Sequence, residues 1–139
     1  MITAIADTSF VVALANQKEI RRADCFAVYE REDGILLPQS TLGEIGYLLT
    51  RAGGNRLMVT FLLELPTSRY QLMALDDEDL LRTAQLLTQY ADTRLDFVDA
   101  SLVAVAERQN IRRILTFDQR DFRLVRPLHA EHLELLPDA

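Results

Sequence analysis

The 139-residue chain has no tryptophan, one cysteine, five glycines and four prolines. Each shortage closes a possibility. A single thiol, Cys25, forbids an intrachain disulfide, excludes the four-cysteine zinc patterns and suits a reducing cytosol. So little glycine and proline, beside 49% hydrophobic and 26% charged residues, describes a compact chain and not a disordered one. No apolar run approaches the ~20 residues needed to span a bilayer. The apolar start, MITAIADTSFVVALAN, has no basic residue before Lys18 and is interrupted by Asp7, which argues against a secretion signal. The expectation is a soluble, cytoplasmic protein folded as one domain over residues 1–139.

Positive charge is also short. The net charge of −6 argues at first against a nucleic-acid partner. Yet Lys18 is the sole lysine, so fourteen of the fifteen basic residues are arginine, the better residue for forked phosphate contacts. Six of them, Arg108, Arg112, Arg113, Arg120, Arg123 and Arg126, fall in one stretch whose only acids are Asp118 and Asp121. The plain reading of that stretch is a solvated charged face.

What is present is an alternation of short apolar runs and helical spacings. Strands are expected at 2–7, 35–38, 70–75 and 112–118, with a last one around 131–136. Between them, helices are expected from Ser9, over 19–31, after an N-cap at Ser40 or Thr41, over 55–65, over 76–91 and over 96–109. Gly53-Gly54 reads as a helix stop, and no glycine-rich nucleotide loop is present. The helix DFVDASLVAVAERQ is apolar on nearly every side and should be buried. The pattern predicts an α/β fold with a mostly parallel central sheet and helices on both faces.

In open α/β sheets, ligands bind beyond the carboxyl ends of the strands. Asp7 closes the first strand there and Asp118 closes the fourth, while Asp99 opens the helix that leads into the fourth. Glu44 lies on a helix between Gly43 and Gly46. Each glycine costs a helix about 1 kcal/mol relative to alanine. The pair implies close approach of a backbone or a ligand, or tight packing on the sheet. Taken singly, Asp7 could cap a helix and Asp118 could sit in a turn. Taken together, carboxylates at one sheet edge repel one another unless cations join them. Hard divalent ions such as Mg²⁺ take such oxygen ligands, a few carboxylates plus water.

The apolar strand followed by DTS, then LPQSTLGEIGYLL, LDFVDASLVAVAER and ILTFDQRDF, resembles the successive motifs of the PIN domain family, most nearly its VapC-type toxin ribonucleases. The resemblance runs along essentially the whole chain in order. It implies an acidic pocket holding one or two Mg²⁺ or Mn²⁺ ions, endonuclease action on RNA, a small antitoxin partner and a homodimer. Carried over motif by motif, the acids of the site fall on Asp7, Glu44, Asp99 and Asp118. Nearby hydroxyls match Thr8 or Ser9 and Thr116, and Asp121 stands as an accessory acid. The alternative is a catalytically silent PIN-like module that binds RNA or protein.

Other aspartate-and-magnesium folds fit less well. A phosphotransfer receiver needs a late lysine, and Lys18 is too early; a dehalogenase-like phosphatase wants a second aspartate where Ser9 stands. His129 and His132 have no third zinc ligand beside them, and Cys25 falls among apolar helical positions. Asp96 and Asp99 raise a final question of roles. Their spacing predicts a capping box with aspartate in place of glutamate and Asp96 as the cap, while the family resemblance implies Asp99 as the metal ligand.

Overall fold

A computed structural model of the protein describes residues 1–138. Five strands form one sheet: β1 (Ala4–Ala6), β2 (Ile35–Pro38), β3 (Tyr70–Met73), β4 (Arg113–Leu115) and β5 (Glu134–Leu136). Their order across the sheet is β3-β2-β1-β4-β5 and every neighbouring pair is parallel. The helices are α1 (Thr8–Ala15), α2 (Arg22–Arg31), α3 (Leu42–Glu64), α4 (Asp77–Gln89), α5 (Phe97–Gln109) and α6 (Gln119–Leu124).

Alternation along the buried strands divides the core in two. Ala4, Ala6, Ile35 and Leu37 join Phe10, Val11, Ile45 and Leu49 of α1 and α3 on one face. Ile5, Leu36 and Ile114 join Leu86, Leu102, Val103 and Phe122 of α4, α5 and α6 on the other. A sheet covered on both faces explains why its strands read as unbroken apolar runs. Helix α5 is buried from Asp99 to Ala106, as its all-round apolarity predicts.

The strand order reverses beside β1. The chain winds outward to β2 and β3 over one face, crosses the other face through α4 and α5, and returns as β4 on the far side of β1. The carboxyl ends of β1 and β4 therefore flank the switch point where doubly wound sheets open a crevice.

Several local expectations are corrected. Strands β1, β3 and β4 are shorter than the apolar runs that mark them. No side chain caps α3: a short turn at Gln39–Thr41 leads into it, and the Thr41 hydroxyl donates to the Pro38 carbonyl at 2.8 Å. Helical hydrogen bonding runs through Gly53-Gly54, but the backbone there is not helical; Gly54 has φ 73°, a value that favours glycine. The segment is two helices joined at a kink. Helix α6 has no counterpart among the expected elements, because its QRDF start reads as a turn.

Candidate active site

Each acid reaches the crevice from a different element. Asp7 follows β1 at the N-cap position of α1, yet its side chain makes no capping bond. It turns instead to the Thr116 hydroxyl, which donates to Asp7 Oδ2 at 2.8 Å. Thr8, the next residue, donates its hydroxyl to Glu44 Oε1 at 2.8 Å and ties α3 to the end of β1.

Thr116 and Ser9 form a small hydroxyl network beneath the acids. The Asp118 and Phe117 backbone N–H groups donate to Thr116 Oγ1 at 3.1 Å and to Ser9 Oγ at 2.9 Å. The two hydroxyls lie 3.1 Å apart. With its one proton on ionised Asp7, Thr116 accepts from Ser9. The chain after β4 is thus held by the same hydroxyl that orients Asp7.

Asp99 is the third residue of α5. Asp96 Oδ1 accepts from the Asp99 N–H at 2.9 Å and Asp99 Oδ2 accepts from the Asp96 N–H at 3.3 Å, so the expected capping box is complete. Asp99 is both part of the cap and a wall of the crevice.

The crevice is a cleft of about 460 Å³ that includes Asp7, Glu44, Asp96, Asp99 and Asp118 in its lining. No lysine, arginine or histidine lines it. Burial is the main cause that pushes the Asp7 carboxyl up to about 6, opposed by the Thr116 and Thr8 hydrogen bonds and reinforced by the charges of Glu44 and Asp118. Burial also pushes Asp99 up to about 8, with the Asp96 and Asp7 charges adding to it. Two other buried acids are paired: Glu32 with Arg113 at 2.7 Å and Asp79 with Arg108 at 2.8 Å. Asp7 and Asp99 have no such partner among the described residues.

Convergent, unpaired oxygen donors fit a hard divalent cation in kind. They do not form a closed cage, since no group of three acid, histidine or cysteine side chains stands close enough to hold an ion among the described residues. Such an open set suits an ion that keeps much of its water. Gly43 adds to the fit. A Cβ built there meets nothing within 4 Å, and at Gly46 it meets only Met58 Cε at 3.5 Å. Neither glycine answers to a close backbone, and Gly43 borders open space in the cleft.

Asp96 lines the cleft as well as capping α5. Asp121 is buried on α6 and is not brought to the cleft. Tyr47, 66% exposed, and Leu48 also line it and were not anticipated. The signal for Tyr47 was its spacing, three residues after Glu44 and so on the same helix face. Cys25 is wholly buried, and burial pushes its thiol up to about 12, against a nucleophilic role.

The model of the PIN domain family matches residues 4–126. The chain is similar to Ribonuclease VapC26 of Mycobacterium tuberculosis, 27% identical over 136 residues that cover 96% of this chain and 99% of that one. Its fold is similar to the crystal structure of M. tuberculosis VapC20, described as a sarcin-ricin-loop-cleaving toxin. The TM-score is 0.80 at 22% identity, covering 93% of this chain and 99% of that one. VapBC2 from Rickettsia felis, solved on a DNA fragment from its promoter, matches with a TM-score of 0.71 at 15% identity and 98% coverage of both chains. The chain belongs to the PIN domain family.

Proposed function

We propose that the protein is a metal-dependent endoribonuclease and the toxin of a toxin–antitoxin pair. The observation that carries this reading is the placement of Asp7 and Asp99, two buried carboxylates without counter-cations, in one cleft with Glu44 and Asp118. The ribonuclease name of the M. tuberculosis relative and the RNA-cleaving description of VapC20 support RNA as the substrate class. The toxin–antitoxin complexes among the structural neighbours support a small protein antitoxin as partner. We place the protein in the cytoplasm as a homodimer; no helix among the described residues is long and apolar enough to cross a membrane.

In this reading Asp7 and Asp99 would hold one or two Mg²⁺ or Mn²⁺ ions, with Glu44 and Asp118 completing the site. Bound ions of this kind lower the pKa of a water nucleophile and neutralise charge on phosphate oxygens. The chain's own residues do the positioning. Thr116 fixes the Asp7 carboxylate, Thr8 fixes Glu44, and the capping box fixes the Asp99 rotamer. Burial keeps Asp7 and Asp99 poorly hydrated, which favours their exchange of a proton for a cation. Tyr47 offers an aromatic face for an unstacked base at the cleft.

The test is cleavage of a single-stranded RNA by the purified protein after EDTA treatment, with and without added Mg²⁺ or Mn²⁺. Cleavage restored by the ion supports the nuclease. RNA binding with no cleavage under any ion overturns it in favour of the silent module.

A further inference from the structure

The acidic cleft has a neighbour of opposite character. A second cleft, of about 690 Å³, is lined by Arg21, Arg94, Arg120 and Arg123. The arginines converge from three places: Arg21 just before α2, Arg94 in the loop before α5, and Arg120 and Arg123 on α6. Asp118 lines both clefts and forms their common wall.

Three of these four arginines are left without an acid partner. Among the described residues no ion pair involves Arg94, Arg120 or Arg123; Arg123 donates to the Gln119 side-chain oxygen at 2.7 Å. Arg21 pairs with Glu19 at 3.0 Å and lays its guanidinium 3.9 Å from the centre of the Phe117 ring, which holds it at the cleft. Arg82, Arg108 and Arg113, by contrast, are held by Glu107, Asp79 and Glu32. Among the described residues Asp24 and Asp138 join Asp118 in the lining, so four guanidinium groups face three carboxylates there, against none facing five in the acidic cleft.

Guanidinium groups with free N–H forks match phosphate oxygens. An RNA strand with its scissile phosphate at Asp7 and Asp99 can lay its next phosphates along the carboxyl edge of the sheet. The surface that adjoins the acidic cleft there, across Asp118, is the arginine cleft.

We propose that the cleft of Arg21, Arg94, Arg120 and Arg123 binds the backbone phosphates that flank the scissile bond on one side. This rests on the nuclease reading for the location of the scissile phosphate. The site reads backbone and not sequence: it sets the register of the strand, and its contribution to binding is salt-dependent.

The test compares two doubly substituted full-length proteins, both in the Asp99→Asn background so that the probe stays intact. Arg94→Ala/Arg120→Ala removes two exposed charges from the cleft. Arg31→Ala/Arg112→Ala removes two exposed charges near the opposite, amino end of the sheet. The probe is a short fluorescein-labelled single-stranded RNA of mixed sequence, titrated at several salt concentrations. The cleft pair is expected to weaken binding by about tenfold or more. It should also lower the slope of log K against log salt by about 1.4, at ~0.7 for each phosphate no longer neutralised. The distal pair should leave both nearly unchanged.

Equal losses in the two pairs overturn the site in favour of a general field. Unchanged RNA binding by the cleft pair also overturns it, and lost antitoxin association in that case assigns the cleft to an acidic protein segment. Cleavage by the Asp99-containing protein is measured on the same RNA. Absence of metal-dependent cleavage together with arginine-dependent binding removes the nuclease reading and leaves the phosphate site standing.

Discussion

Asp79 and Asp99 occupy the same position in two capping boxes of the same form, and only Asp79 has an arginine. Each is the third residue of its helix, each side chain accepts from the N-cap backbone, and each is buried. Arg108 donates to both Asp79 oxygens at 2.8 Å and holds that carboxyl below its ordinary range, against burial. No base answers Asp99, and burial pushes it up instead. One motif thus serves structure in α4 and is left without a basic partner at the cleft in α5.

The pair predicts opposite responses to the same substitution. Asp79→Asn loses a charge-assisted fork and should destabilise the protein by about 1.5–3 kcal/mol. Asp99→Asn removes a buried carboxylate that lacks a counter-ion, and stability should hold or rise in the absence of metal. Urea denaturation in EDTA checks both.

The cleft also makes stability depend on pH. Folding raises Asp7 to about 6 and Asp99 to about 8 from 3.8, so between these values the folded state binds more protons than the unfolded chain. Their contribution is fully present below pH ~4 and is lost as pH rises through the two folded values. The Tm in EDTA should therefore fall between about pH 5 and about pH 8.5. Mn²⁺ should raise it, most at the alkaline end, and Asp99→Asn should flatten the upper part of the fall. A Tm that climbs over this range without metal contradicts the assignment.

Asp96 can be separated from Asp99 by the cap it forms. Asp96→Ala should cost about 1 kcal/mol of stability, while Asp96→Asn, which still caps, should cost a few tenths at most. If Asp96 serves only as cap, the Asn variant retains cleavage near the wild-type rate. A loss matching that of Asp99→Asn assigns Asp96 to the metal shell as well.

We propose a positioning role for Thr116 that depends on its hydroxyl. Thr116→Val removes the donor to Asp7 and the acceptor for the Asp118 N–H while keeping the side-chain shape. Cleavage or metal affinity should fall by about 10–100-fold, and Thr116→Ser should restore most of it. A fall in stability alone, with kcat and metal affinity unchanged, argues for a purely structural hydroxyl.

Much of this was legible in the residues. Alternating apolar runs and helical spacings are local signals, and they revealed β1 to β5 and five of the six helices. Asp7 and Asp118 stood out because they close the apolar runs that mark strands, and Asp96–Asp99 because a capping box has a fixed spacing. Relations distant along the chain were not legible. Asp79 carried no sign of its partner, since nothing local announces Arg108, 29 residues on. The arginine-rich stretch 108–126 suggested one basic face, yet Arg108 and Arg113 are held by acids elsewhere. The basic cleft instead takes Arg21 and Arg94 from earlier in the chain. Helix α6 escaped because six residues carry too little periodicity to read.

The most direct measurement is Mn²⁺-dependent cleavage of single-stranded RNA by wild-type and Asp99→Asn protein, with folding of both verified by circular dichroism. The account predicts cleavage by the wild type that EDTA abolishes, and none by a folded Asp99→Asn variant. Cleavage by Asp99→Asn at the wild-type rate would contradict it.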